Sequence, residues 1–242
     1  MAAAMKRGLR RFGLLLIVVG LGMLSWAGLV YVWQDPFTAI ANKRAQRALS
    51  QQFEQRVEAY RAPPEAQPAR SSSLPRLAAR FLGGVERGDA VGRLLIPRLG
   101  VRVYVVYGTD AASLKRGPGI DARTALPGRG ELVYVAGHRT TYGAPFSDID
   151  KLRPGDSVVL QMPYATFTYR VTGRRIVQAT FLKALESRGR EEIALQACWP
   201  RFFASHRIIV YAKPVAAVER RPSIAAPAAA APSLAELGGA SP

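Results

Sequence analysis

Seven runs decide how this chain is read: GRLLIP (92–97), VRVYVVYG (101–108), ELVYVAG (131–137), SVVLQM (157–162), TFTYRVTGRRIVQ (166–178), EEIALQAC (191–198) and RIIVYAK (207–213). Val, Ile, Tyr and Thr dominate them, and such side chains pack well on a pleated, half-buried surface. Each run is bounded by Gly, Pro or Asp, as in LPGRGE (126–131) and RPGDS (153–157), where a chain can turn. Only APFSDIDKL (144–152) reads as a short helix. Seven or eight strands in ~120 residues predict an all-β barrel or sandwich, with closure removing exposed strand edges.

Outward from this region the pattern changes. Residues 12–34 carry no charge and are rich in Leu, Val, Ile and Gly. A helix of that length crosses the ~30 Å hydrocarbon core of a bilayer. The basic residues Lys6, Arg7, Arg10 and Arg11 before it predict that residues 1–11 stay in the cytoplasm. Ser25-Trp26-Ala27 offers a small-x-small cleavage site, but the long apolar run favours an uncleaved anchor. Either way, the rest of the chain is expected outside the cytoplasm. Residues 35–90 read as a spacer: a helix over 38–61 with a narrow stripe of Ala41, Ala45, Leu49, Phe53 and Val57, then the linker PPEAQPARSSSLPR (63–76). The stripe is narrow, so the helix is expected to be a solvated stalk. The folded unit is placed at 91–213, and the Ala/Pro-rich stretch 214–242 is read as disordered.

Composition narrows the chemistry. The chain has 242 residues, 34 Lys+Arg against 17 Asp+Glu, two histidines and one cysteine. A single cysteine excludes an internal disulfide framework, and so small a set of soft ligands predicts no metal site. Nineteen basic and nine acidic residues lie between 93 and 213, so the positive charge belongs to the folded part. That suits nucleic acid, anionic lipid or a polyanionic wall. Nucleic acid is disfavoured, because no recognition motif or aromatic stacking array accompanies the charge.

The sole thiol, Cys198, ends one predicted strand, and Arg207 opens the next. In an antiparallel hairpin the two lie near each other across the ladder, where a guanidinium favours the thiolate. Successive strand residues face opposite ways, so His206 is expected to point away from Cys198. His138 follows the strand 131–136 through Gly137, at a rim, and is the better acid/base partner.

The order GHR (137–139), a cysteine ending a strand and an arginine opening the last strand resembles the sortases. VGRLLIPRLGVRVYVVYGTDAASLKRGPGI and TALPGRGELVYVAGHRTTYGAPFSDIDKLRPGD resemble most closely the class E sortases of actinobacteria, over about residues 91–213. The resemblance implies a closed eight-stranded β-barrel behind an N-terminal transmembrane helix. It also implies a cysteine transpeptidase that needs no cofactor. Cys198 would attack the Thr–Gly bond of a Leu-Pro-x-Thr-Gly or Leu-Ala-x-Thr-Gly sorting signal. His138 would act as general acid and base, and Arg207 would stabilise the oxyanion. The implied partners are surface proteins bearing the signal, the membrane, and an amine of a peptidoglycan precursor or pilin. Ala197 stands where the family usually has Thr, and Thr141 and Tyr142 flank the site as candidate substrate contacts.

Other cysteine enzymes fit less well. Cell-wall L,D-transpeptidases place Gly before the cysteine, and papain-like peptidases have the cysteine before the histidine. The reading from a different class is a membrane-tethered basic module that binds anionic wall polymer, with Cys198 buried and inert.

Overall fold

The computed structural model describes residues 2–33, 36–61 and 74–220. Three helices come first: α1 (Ala2–Trp33), α2 (Pro36–Arg61) and α3 (Leu74–Leu82). Eight strands follow: β1 (Ala90–Ile96), β2 (Val101–Tyr107), β3 (Gly119–Ile120), β4 (Leu132–Ala136), β5 (Ser157–Gln161), β6 (Ala165–Gln178), β7 (Glu192–Trp199) and β8 (His206–Glu219). A short helix α4 (Ala111–Arg116) joins β2 to β3. The strands close in the order β1-β2-β3-β4-β7-β8-β6-β5, the predicted all-β barrel.

Alternation builds the wall. Along β6, Ala165, Phe167, Tyr169 and Val171 are buried and point into the barrel, while the residues between them are more exposed. Strand β4 is buried on both faces. Its Val133 and Val135 enter the main core. Its Leu132 and Tyr134 join Ala184, Ala194, Ile209 and Tyr211 in a smaller cluster on the outer wall.

Local signals were weakest where elements are shortest. The two-residue β3 has no strand signal of its own, and Pro118-Gly119-Ile120 looks like a turn. It is a strand only because it bridges β2 and β4. A 3-10 turn at Ile149–Lys151 replaces the helix expected over 144–152. Strand β8 continues beyond the 213 boundary to Glu219, because Pro214–Glu219 pairs with Ala165–Tyr169 of β6. Of the expected linker, only its last residues are described, and they open α3. The tail from 221 onward lies outside the described residues.

Helix α2 is not a solvated stalk. Leu49, Phe53 and Val57 are 0%, 3% and 3% exposed and pack with Ala90 and Val106. The narrow stripe matches the narrow strip of barrel wall beneath it. Polar groups fasten its edges. The Gln46 amide donates to the Tyr104 carbonyl (3.1 Å) and its oxygen accepts from the Tyr104 N–H (2.7 Å). Gln52 bonds the Asp89 carboxylate (2.8 Å) and the Ala90 N–H (2.8 Å), and Arg56 pairs with Asp89. Helix α1 contains one stretch, Lys6–Leu29, long and apolar enough to cross a membrane, with none of it buried against the rest of the chain.

Candidate active site

The outer face of β4, β7 and β8, roofed by the 179–185 segment, forms a pocket of about 270 Å³. Strand parity decides what lines it. On β7, Gln196 and Cys198 face the pocket while Ala197 enters the barrel core. On β8, Arg207 and Ile209 face the pocket and Ile208 enters the core.

Antiparallel pairing sets Cys198 opposite Arg207 and Trp199 opposite His206. Strand β4 runs parallel to β7, with Ala136 beside Gln196, and Gly137 N–H donates to the Gln196 carbonyl (3.0 Å). The ladder ends there, and His138 and Cys198 each lie two residues further on, at the same end of the two strands. His138, Cys198 and Arg207 line the same pocket. His206 does not; it is exposed, with Nδ1 3.0 Å from the Ser205 hydroxyl.

Each group has a definite environment. Cys198 is half-buried and free. Burial pushes the His138 imidazole below its ordinary value and so favours its neutral form. Its ring lies 5.0 Å from that of Tyr142, and its carbonyl accepts from the Phe146 N–H (3.1 Å). Gly137 is required before it, because a Cβ there would meet the Phe146 ring at 2.6 Å. Arg207 Nη1 donates to the carbonyls of Ala204 (2.7 Å) and His206 (2.9 Å), which leaves Nε and Nη2 as further donors.

The family model for the sortase domain matches residues 94–215. The chain belongs to the sortase family. Sortase D of Bacillus subtilis is 33% identical over 135 residues, covering 54% of this chain and 66% of that one. Sortase SrtE1 of Streptomyces coelicolor is 30% identical over 161 residues, covering 59% of this chain and 44% of that one. The chain therefore aligns with less than two thirds of either curated relative's length. The structure of sortase E from Streptomyces avermitilis superposes with a TM-score of 0.51 at 36% identity, over 55% of this chain and 93% of that one. The crystal structure of S. coelicolor sortase E1 with a tripeptide in the active site gives 0.52 at 29% identity, over 55% and 92%.

In this sortase-family chain, Ala197 offers no surface to a substrate, because strand parity sends it into the core while Cys198 faces out. Thr141 and Tyr142 lie on the rim and are not part of the pocket lining. Tyr142 instead adopts a left-handed backbone (φ 51°) that lays its ring beside His138.

Arg139, in the GHR stretch, carries no sequence signal that sets it apart from the other arginines. It is 5% exposed. Its guanidinium pairs with Asp150 (2.7 Å), donates to the carbonyls of Ser147 (3.2 Å) and Cys198 (3.4 Å), and lies 4.6 Å over the Trp199 ring. It thereby ties the His138 loop to the end of β7. Only the fold shows that this arginine faces inward, since an arginine in so basic a chain reads as surface. Arg139→Met removes the guanidinium from the Asp150 carboxylate and the Cys198 carbonyl, while the Ser147 carbonyl keeps its bond from Arg201 (2.7 Å). It is expected to cost about 1–3 kcal/mol in a urea titration.

Asp121 lies on the pocket wall with Arg123. Burial would raise its pKa, but hydrogen bonds from the Arg123 side chain and backbone N–H and from the Thr109 hydroxyl, with the Arg123 charge, lower it to about 2. A depressed folded-state pKa stabilises above the ordinary 3.8 and is lost as pH falls from there to about 2. Asp121→Asn should therefore lower Tm at pH 7. The gap to the parent chain should narrow between pH 4 and pH 2 in thermal melts.

Proposed function

We propose that this chain is a membrane-anchored cysteine transpeptidase. It cleaves a sorting signal of Leu-Pro-x-Thr-Gly or Leu-Ala-x-Thr-Gly type between Thr and Gly and transfers the protein to an amine of the cell wall or a pilin. The observation that carries this is the convergence of Cys198, His138 and Arg207 on one pocket, with Cys198 opposite Arg207 in the ladder. Helix α1 would hold the chain in the membrane by a single span, with residues 1–11 cytoplasmic and the barrel outside.

In this reading, neutral His138 takes the Cys198 proton as the thiolate attacks the Thr carbonyl carbon. The carbonyl π electrons move to oxygen, and Arg207 donates to that oxyanion. On collapse, the imidazolium delivers its proton to the departing Gly nitrogen, which leaves a thioester on Cys198. An incoming amine then attacks the thioester. His138 accepts its proton, and the returning proton restores the Cys198 thiol.

The test is intact mass of the full chain in detergent micelles with each signal peptide. A thioester adduct that disappears on adding an amine supports the reading. The absence of any adduct, with a thiol that also resists alkylation in the folded state, would overturn it in favour of a binding module. Arg207→Lys keeps the charge but loses the planar fork, and is expected to lower kcat/KM about 10²-fold in a peptide cleavage assay.

A further inference from the structure

Helix α2 has a direction that fixes where the membrane lies. At its N-terminal end, Thr38 Oγ1 accepts from the backbone N–H of Tyr142 (2.9 Å), the residue whose ring lies against His138. Asn42 then packs on Gly143 and donates to the carbonyls of Lys115 (3.3 Å) and Arg116 (3.1 Å). Further along come the Gln52 and Arg56 contacts to Asp89. Finally the Tyr60 hydroxyl bonds the Leu77 carbonyl (3.0 Å), and its ring meets Tyr164 at the β5–β6 turn. The helix runs from the catalytic end of the barrel to the opposite end. Helix α1 ends at Trp33 and α2 begins at Pro36, three Cα steps that reach at most about 11 Å. The apolar span therefore joins the folded body at the catalytic end.

That same end carries exposed apolar side chains. Phe202 and Phe203 on the β7–β8 loop are 45% and 78% exposed, and Leu182 on the roof segment is 67% exposed. The two loops are neighbours: Gln178 pairs with His206, and Ala179 N–H donates to the Ser205 carbonyl (3.3 Å). Arg201 joins the β7–β8 loop to the His138 loop by its bond to the Ser147 carbonyl (2.7 Å). Arg201 on the β7–β8 loop is paired with Asp148 (3.1 Å), and the first half of α2 is basic. Lys43, Arg44 and Arg47 are exposed on the first half of α2, with no acidic residue between 36 and 53, and Lys183 lies on the roof.

We propose that this catalytic rim docks onto the outer surface of the bilayer that holds α1, with Phe202, Phe203 and Leu182 in the interface and Lys43, Arg44 and Arg47 against anionic headgroups. The inference rests on reading α1 as the membrane anchor. Amphipathic surfaces of this kind sit ~5–10 Å into the headgroup and acyl boundary, and a juxtamembrane basic cluster adds attraction to anionic lipid. Such docking would present the pocket mouth to the part of a membrane-held substrate nearest the lipid.

The test uses the full chain in vesicles of phosphatidylcholine with phosphatidylglycerol as the minor component. Two variants in a Cys198→Ser background carry one environment-sensitive dye each: Phe203→Cys at the catalytic rim, and Arg129→Cys on the exposed loop before β4, at the opposite end. A nitroxide lipid labelled near the headgroup end of the acyl chain is expected to quench the dye at 203 several-fold more than the dye at 129. Omitting phosphatidylglycerol should weaken that difference. Equal quenching at the two positions overturns the proposal and points to a protein partner for the apolar rim. Loss of the chain from the vesicles in alkaline carbonate would overturn the anchor reading, and the docking with it. Neither readout depends on catalysis, so failure of the transpeptidase reading is distinguishable.

Discussion

Cys198→Ala is expected to abolish the acyl adduct and to reduce signal-peptide cleavage by about 10⁴-fold or more, since residues acting as one catalytic unit fail together. The substitution removes one sulfur from a half-buried side chain on the outer wall. Barrel stability should therefore change by only about 0.5 kcal/mol, the usual scale for surface positions. His138→Ala removes the only imidazole in the pocket and is expected to cost about 10²–10⁴-fold. His206→Ala is the matched control, one residue from Arg207 but on the other face, and should retain most activity. Peptide cleavage, intact mass and circular dichroism on the same preparations separate lost chemistry from lost fold. Equal damage from His206→Ala and His138→Ala would overturn the assignment of roles.

Phe53→Ala should be the most destabilising single truncation in the N-terminal region, at about 3–5 kcal/mol, because it opens a cavity between α2 and the barrel. Phe53 is 3% exposed, and its ring lies 5.6 Å from that of Tyr104 on β2. A solvated helix would tolerate the same change within about 0.5 kcal/mol. Ile40, which is 59% exposed on the same helix, supplies the comparison. Urea unfolding of both alanine variants in micelles decides the matter. A loosened α2 would also release the Thr38 contact to Tyr142, so Phe53→Ala is expected to lower activity as well as stability.

Much of the barrel was legible because its strands carry their own signals. β-Branched runs between turn residues located every strand except β3, which consists of two residues and exists only by bridging its neighbours. The proximity of Cys198 to Arg207 could be read from a hairpin argument, since the residues between them are few and the pairing is local. His138 is sixty residues from Cys198, and no local rule relates them. Their meeting depends on the parallel pairing of β4 with β7, a non-local choice made by the closing barrel.

By itself the sequence determined the all-β class, the apolar N-terminal span and the identity of the few side chains able to do chemistry. These follow from periodicity, composition and scarcity, which are properties of short segments. The tertiary structure alone decided that α2 is part of the folded body and that Arg139 is a buried clamp. Each of those outcomes depends on which surface packs against the segment. A narrow apolar stripe on a polar helix, or an arginine in a basic chain, is ambiguous until the opposing wall is in place.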